Sequence, residues 1–135
     1  MNPYLSFAGN CREAFELYAQ VLGGTIESAF PYVGSPMEKD APPDWGNKLI
    51  HATLRTPAGV LMGADPPPGR YEAPKGFSIH FVFGDAAEAE RVFNALSGGA
   101  TIHMPLQKTF WSPCFGMLVD RFGIPWMINC EGGQQ

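Results

Sequence analysis

Ser78 and His80 stand two positions apart in the short run "SIHFVF", which reads as a strand, so their side chains point to the same sheet face. A neutral imidazole facing a pocket beside a hydroxyl can act as a base near pH 7, or hydrogen-bond an anionic or carbonyl ligand. It can equally be a satisfied polar residue in a mixed wall. His51 lies in a second strand-like run whose facing the pattern leaves open. A metal site rebuilt from His51, His80 and Glu27 would require three favourable geometries at once. His103, beside Pro105, reads as a surface residue.

The segment "KTFWSPCFG" (108–116) gathers Phe110, Trp111, Cys114 and Phe115 around a proline. Such aromatics either close one end of an apolar ligand pocket or bury a dimer interface. Cys114 has no basic residue in its local sequence to lower its pKa, which argues against a nucleophilic thiolate. "GVLMGADPPPG" lacks the Lys-Ser/Thr of a phosphate loop, and no G-x-G-x-x-G follows a strand.

Two stretches show what must position these residues. In "GNCREAFELYAQVLGG" (9–24), Asn10 is the expected N-cap and Glu13 the partner of a capping box. Ala14, Leu17, Tyr18 and Val21 make the apolar face, and Gly23 supplies the left-handed stop. In "GDAAEAERVFNALSGG" (84–99), 75 positions on, Asp85, Glu88, the face Ala89, Val92, Phe93 and Leu96, and Gly98 repeat each device. The register extends to flanking strands: 3–10 over 78–85, and 25–30 over 101–106 with a slip of one residue. The hairpins 49–65 and 115–130 then correspond, turning at Pro57–Gly59 and Asp120–Gly123.

The expected fold is therefore α+β, two pseudo-symmetric β-α-β-β-β modules in a single domain over 1–135. Module one spans 1–65, the linker 66–76, module two 77–130 and a tail 131–135; the Pro-rich stretch 31–48 is a loop. Two such halves can set their sheets edge to edge as one curved mixed sheet around a shared trough, with the helices outside. Repeats of this kind define architecture before chemistry.

The totals narrow the partners. A chain of 135 residues with 45% apolar content builds a core without staples. The net charge is −4 and the four lysines and five arginines are scattered singly, which argues against nucleic acid. Three cysteines, Cys11, Cys114 and Cys130, contain no C-x-x-C pair and are odd in number, so a disulfide framework is not expected and the setting is read as cytoplasmic. No apolar run is long enough to span a bilayer, and the start lacks the layout of a secretion signal.

On these residues the chain resembles the glyoxalase/bleomycin-resistance, or vicinal oxygen chelate, superfamily. "YLSFAGNCREAFELYAQVLGG", "LIHATL", "LMGAD" and "TFWSPCFGMLVDRFGIPWMINC" are similar to its PhnB-like branch, from about residue 3 to residue 130. That branch is often labelled as related to a demethylubiquinone methyltransferase, a label for which no cofactor motif is present. The resemblance implies homodimers. It also implies that metal-dependent members hold a divalent cation with His and Glu from the first and last strands of each module. Carried over, those positions fall on Pro3, Ser78, Met62 and Met127. Proline has no side-chain donor, a neutral serine hydroxyl is a poor ligand, and thioethers are soft and uncharged. A catalytic site wants about three strong protein ligands, so no metal and no cofactor is expected.

The primary reading is a metal-free protein that sequesters an apolar or aromatic molecule, with Leu5, Met62, Ser78, His80, Phe110, Trp111 and Met127 lining the trough. The alternative is a metal-independent enzyme of lyase, isomerase or transferase type, with His80 as general base and Ser78 positioning the substrate. A third is an interaction module with no small ligand.

Overall fold

The computed structural model describes residues 1–131; the end of the expected tail, from 132 on, lies outside the described residues. The chain divides into two compact units, the first ending at Ala73 and the second starting at Pro74. Unit 1 runs β1 (Tyr4–Ser6), α1 (Cys11–Leu22), β2 (Thr25–Pro31), β3 (Leu49–Thr56), β4 (Gly59–Ala64); unit 2 runs β5 (Ile79–Phe83), α2 (Ala86–Leu96), β6 (Thr101–Gln107), β7 (Cys114–Val119), β8 (Pro125–Cys130). Each is the β-α-β-β-β module that the repeat predicts. The stretch 31–48 is mainly loop, with two 3-10 turns at Glu38–Asp40 and Pro43–Trp45.

The sheets share one topology, β1-β4-β3-β2 and β5-β8-β7-β6. In both, the first strand pairs in parallel with the last, and the other neighbours are antiparallel. The helix after the first strand makes this possible, because parallel strands need a crossover connection. α1 packs on β3 and β2, and α2 on β8, β5 and β7. Close packing against the helices requires glycine at one sheet position in each unit. A Cβ on Gly63 would meet the rings of Phe7 and Phe15 at 3.0 Å, and one on Gly116 would meet Phe93 at 2.7 Å and the Leu106 backbone at 3.0 Å.

The helices depart from the expected symmetry at their ends. α2 is capped as read, with the Asp85 carboxylate accepting from the Glu88 N–H at 2.7 Å. Glu88 does not close a capping box; its carboxylate pairs with Arg91 one turn on. For α1 the expected cap is corrected. Asn10 makes no side-chain cap bond, and its Oδ1 is buried without a partner. The job passes to Asp65, just past β4, whose Oδ1 accepts from Gly9 N (3.1 Å) and Cys11 N (2.9 Å). Its Oδ2 accepts from Leu49 N at 2.9 Å. This carboxylate is 1% exposed, and it meets the positive end of the α1 dipole.

Smaller corrections follow from local geometry. The α1 face buries Phe15 where Leu17 was expected, alongside Ala14, Tyr18 and Val21, because the stripe centres one residue earlier. All four residues expected on α2 are buried. Gly23 stops α1 in the left-handed conformation, whereas after α2 that conformation falls on Gly99 instead of Gly98, Ser97 continuing the helical backbone.

Removing Asp65 strands two buried amides and one part-buried one, and a buried amide is expensive to leave unpaired. Asp65→Ala is expected to cost about 3 kcal/mol of unfolding free energy, while Asn10→Ala stays within about 0.5 kcal/mol of the parent; urea denaturation of both variants measures this. Gly116→Ala forces a methyl against backbone and is expected to cost about 1–3 kcal/mol in the same assay.

Candidate functional site

In each unit one sheet face carries the helix and the other does not. Residues registered across neighbouring strands share a face, so the pairing lists the occupants of the helix-free side. In unit 1 one row is Ser28, Thr53, Met62 and Tyr4. His51, two residues before Thr53, lies on the same side and settles the facing that the sequence left open. The Tyr4 hydroxyl lies 3.0 Å from His51 Nδ1, and His51 Nε2 lies 3.1 Å from Thr53 Oγ1. The rings of Tyr4 and Phe30 sit on His51 at centroid separations of 5.6 and 6.4 Å. Burial pushes the Tyr4 phenol above its ordinary pKa, so it keeps its proton. On this side Arg55 is paired with Glu27.

In unit 2 the equivalent row is Met104, Met117, Met127 and His80. Thioethers replace the Ser28 and Thr53 hydroxyls, Met127 matches Met62, and an imidazole stands in place of the Tyr4 phenol. His80 is exposed, and its Nε2 lies 3.4 Å from the Asn129 amide nitrogen. Ser112 donates to the Asn129 carbonyl oxygen and is itself buried against β7.

These rows correct the positions carried over for metal ligands. The residue across from Met62 is Tyr4, not Pro3, and the residue across from Met127 is His80, not Ser78. The registered positions Tyr4 and His80 are 76 apart, while the helix starts Cys11 and Ala86 are 75 apart, so unit 1 has one more residue between that position and its helix. Pro3 therefore shares the parity of buried Leu5 and Phe7, whereas Ser78 shares the parity of His80. Leu5, expected to line a trough, is 1% exposed and belongs to the unit 1 core. Met62, Met127 and Ser78 are half-buried, and Phe110 and Trp111 are exposed, their rings edge-to-face at 4.8 Å.

The donor chemistry of the corrected positions does not fit a divalent Lewis acid. Tyr4 is a protonated phenol already bonded to His51, both methionines are soft neutral donors, and His80 is a lone imidazole. Within unit 1, Glu27 is held by Arg55 and both His51 nitrogens are engaged by Tyr4 and Thr53. Among the described residues no three His, Cys, Asp or Glu side chains are grouped to hold a metal.

The cysteine reading is corrected as well. Cys114 and Cys130 face each other across the β7–β8 pair and are joined as a disulfide. Neither is a nucleophile, and cysteine usage no longer argues for a reducing compartment. Spacing hid this pair because 16 residues separate them and only the hairpin register opposes them. Cys11 is free and buried; desolvation, and then the Asp65 charge, raise its thiol pKa well above the ordinary value.

Against this geometry the family model for the Glyoxalase/Bleomycin resistance protein/Dioxygenase superfamily matches residues 1–128. The chain belongs to that superfamily. It is 33% identical to the Escherichia coli K12 protein YjdN over 139 residues, covering 96% of this chain and 93% of that one. Among solved structures it is 50% identical to Pseudomonas aeruginosa PA1353, with a TM-score of 0.88 and coverage of 97% of this chain and 96% of that one. A Bacillus cereus PhnB protein, described as a putative 3-demethylubiquinone-9 3-methyltransferase, shares the fold at 24% identity and TM-score 0.83, covering 96% of this chain and 98% of that one. The superfamily expected from the sequence, with its PhnB-like likeness, is the one found. Among the described residues no helix is long and apolar enough to cross a membrane.

The thiol count checks the cysteine assignment. Without reductant, the denatured protein is expected to release one thiol equivalent to Ellman's reagent, and after reduction all three cysteines. The native protein is expected to react slowly, because Cys11 is buried and its thiol protonated.

Proposed function

We propose that this chain is a metal-independent small-molecule-binding protein of the glyoxalase/bleomycin-resistance superfamily. It holds a largely apolar or aromatic ligand against its helix-free sheet faces, in the trough that paired modules enclose, and it acts as a homodimer. The observation that carries this reading is the pair of rows through Tyr4–Met62 and His80–Met127, where thioethers stand in the last-strand positions. Such a surface is polarizable and adaptable, and favours flat apolar ligands over small acids. Phe110 and Trp111 belong either to the wall of this trough or to the dimer interface.

A second reading has a specific support. His80 is exposed on the helix-free face of unit 2, and its Nε2 lies 3.4 Å from the Asn129 amide nitrogen, so the ring is oriented by a neighbour while open to a substrate. In that reading His80 moves a proton in a metal-independent lyase, isomerase or transferase reaction. His80→Ala retaining full turnover on a substrate found among bound ligands would remove it.

Thermal-shift screening against several classes of aromatic compound tests the primary reading. A saturable stabiliser is expected, worth about 2.7 kcal/mol at a hundredfold excess over Kd, with the same shift in EDTA. Absence of any stabiliser, or a shift that needs zinc, manganese or iron, would overturn it.

A further inference from the structure

We propose that Tyr4, His51 and Thr53 form a hydrogen-bonding relay that recognises the oxygen of a planar aromatic ligand, a phenol or an aryl ketone, with the Tyr4 and Phe30 rings as its platform. The inference deepens the binding reading above and rests on it, and it assigns the recognition of the ligand's oxygen to unit 1.

Three observations carry it. First, Tyr4 and Phe30 are 53% and 57% exposed although both rings pack on His51. They form an aromatic strip on the helix-free face, interrupted by an imidazole. Second, both imidazole nitrogens are engaged, one by a phenol and one by an alcohol. A neutral imidazole has one donor and one acceptor nitrogen, so the two bonds run in one direction. If the Tyr4 O–H donates to Nδ1, Nε2–H donates to Thr53, whose own proton is then free to donate to a ligand oxygen. The other tautomer reverses both bonds and frees the Tyr4 proton instead. Either end therefore offers a donor or an acceptor according to the ligand, which suits a hydroxyl as well as a carbonyl.

Third, the strip carries no spare charge to hold an anion. The cation on this side, Arg55, is committed to Glu27 at 2.5 Å, and the Tyr4 phenol stays protonated. A carboxylate would lose its hydration without a counter-charge. A neutral oxygen on a flat ring fits the relay and the platform together, while Met62, registered between Tyr4 and Thr53, supplies a soft floor.

The full chain is titrated with 2-naphthol, naphthalene and 2-naphthoate, and binding is followed by amide and side-chain NMR shifts. 2-Naphthol is expected to bind saturably, with shifts centred on Tyr4, Phe30, His51 and Thr53. It is expected to bind about fivefold more tightly than either other probe, the worth of one net hydrogen bond. His51→Phe keeps a ring between Tyr4 and Phe30 but removes the relay, so the preference over naphthalene is expected to disappear. Tyr4→Phe, at an exposed position that leaves the fold intact, is expected to shift the His51 ring ¹⁵N resonances toward a different tautomer ratio. Equal affinity for the three probes, an unchanged preference in both variants, or shifts centred on His80 and Met127 would each overturn the relay. In the last case the binding reading survives, whereas it falls with a failed compound screen.

Discussion

A single buried carboxylate ties unit 1 together. Asp65 accepts from the backbone on either side of the β1–α1 junction and from the first residue of β3. Its own N–H donates to Leu49 O, and its carbonyl accepts the Tyr32 hydroxyl at 2.8 Å and the Trp45 indole at 3.4 Å. The first strand, the helix, the third strand and the 31–48 loop thus share one anchor. Charge burial of this kind is tolerable because amide dipoles, including those of a helix start, replace the lost water. Unit 2 uses the same physics at another place. Asp120 accepts from Phe122 N, Ile124 N and the Trp126 indole, holding the β7–β8 turn against the core.

The two sheets share connectivity and differ in what they offer. On unit 1 the helix-free row is hydroxyl-rich and flanked by rings; on unit 2 it is thioether-rich and ends in an imidazole. Duplication has kept the backbone constraint, glycine under the helix and a parallel first–last pair, and released the opposite face. Superfamily membership fixes the frame on which these faces stand, whereas the chemistry has to be read from the side chains themselves.

Most of the fold was legible because apolar periodicity and turn residues are local and appear twice, whereas of the two expected caps only Asp85 holds. The site was legible in part. His80 and Met127 emerged from alternation and resemblance, but their register needed the sheet. The carried-over position Pro3 is corrected for a definable reason: Pro3 and Ser78 are 75 apart, whereas the registered pair Tyr4 and His80 is 76 apart, and one residue reverses facing. Tyr4, Thr53, Phe30 and Asn129 gave no signal of their own, since cross-strand neighbours lie tens of residues apart in sequence. Asp65 was hidden likewise, because Asn10 offered a plausible local cap. The Cys114–Cys130 bond was masked by a rule about cysteine number that a third, buried thiol defeats.

The borrowed cap has a consequence for the order in which the chain acquires structure. α2 is closed by its own Asp85, three residues from the amide it serves, so that helix can be completed as soon as it is made. α1 is closed by a residue 54 positions downstream of Cys11. On a ribosome that emits the chain from its N-terminus, the earlier helix must wait, frayed at its start, until β4 has emerged. The long loop closure that ends the wait is an entropic debt the second half never incurs. Two copies of one architecture thus mature on different clocks.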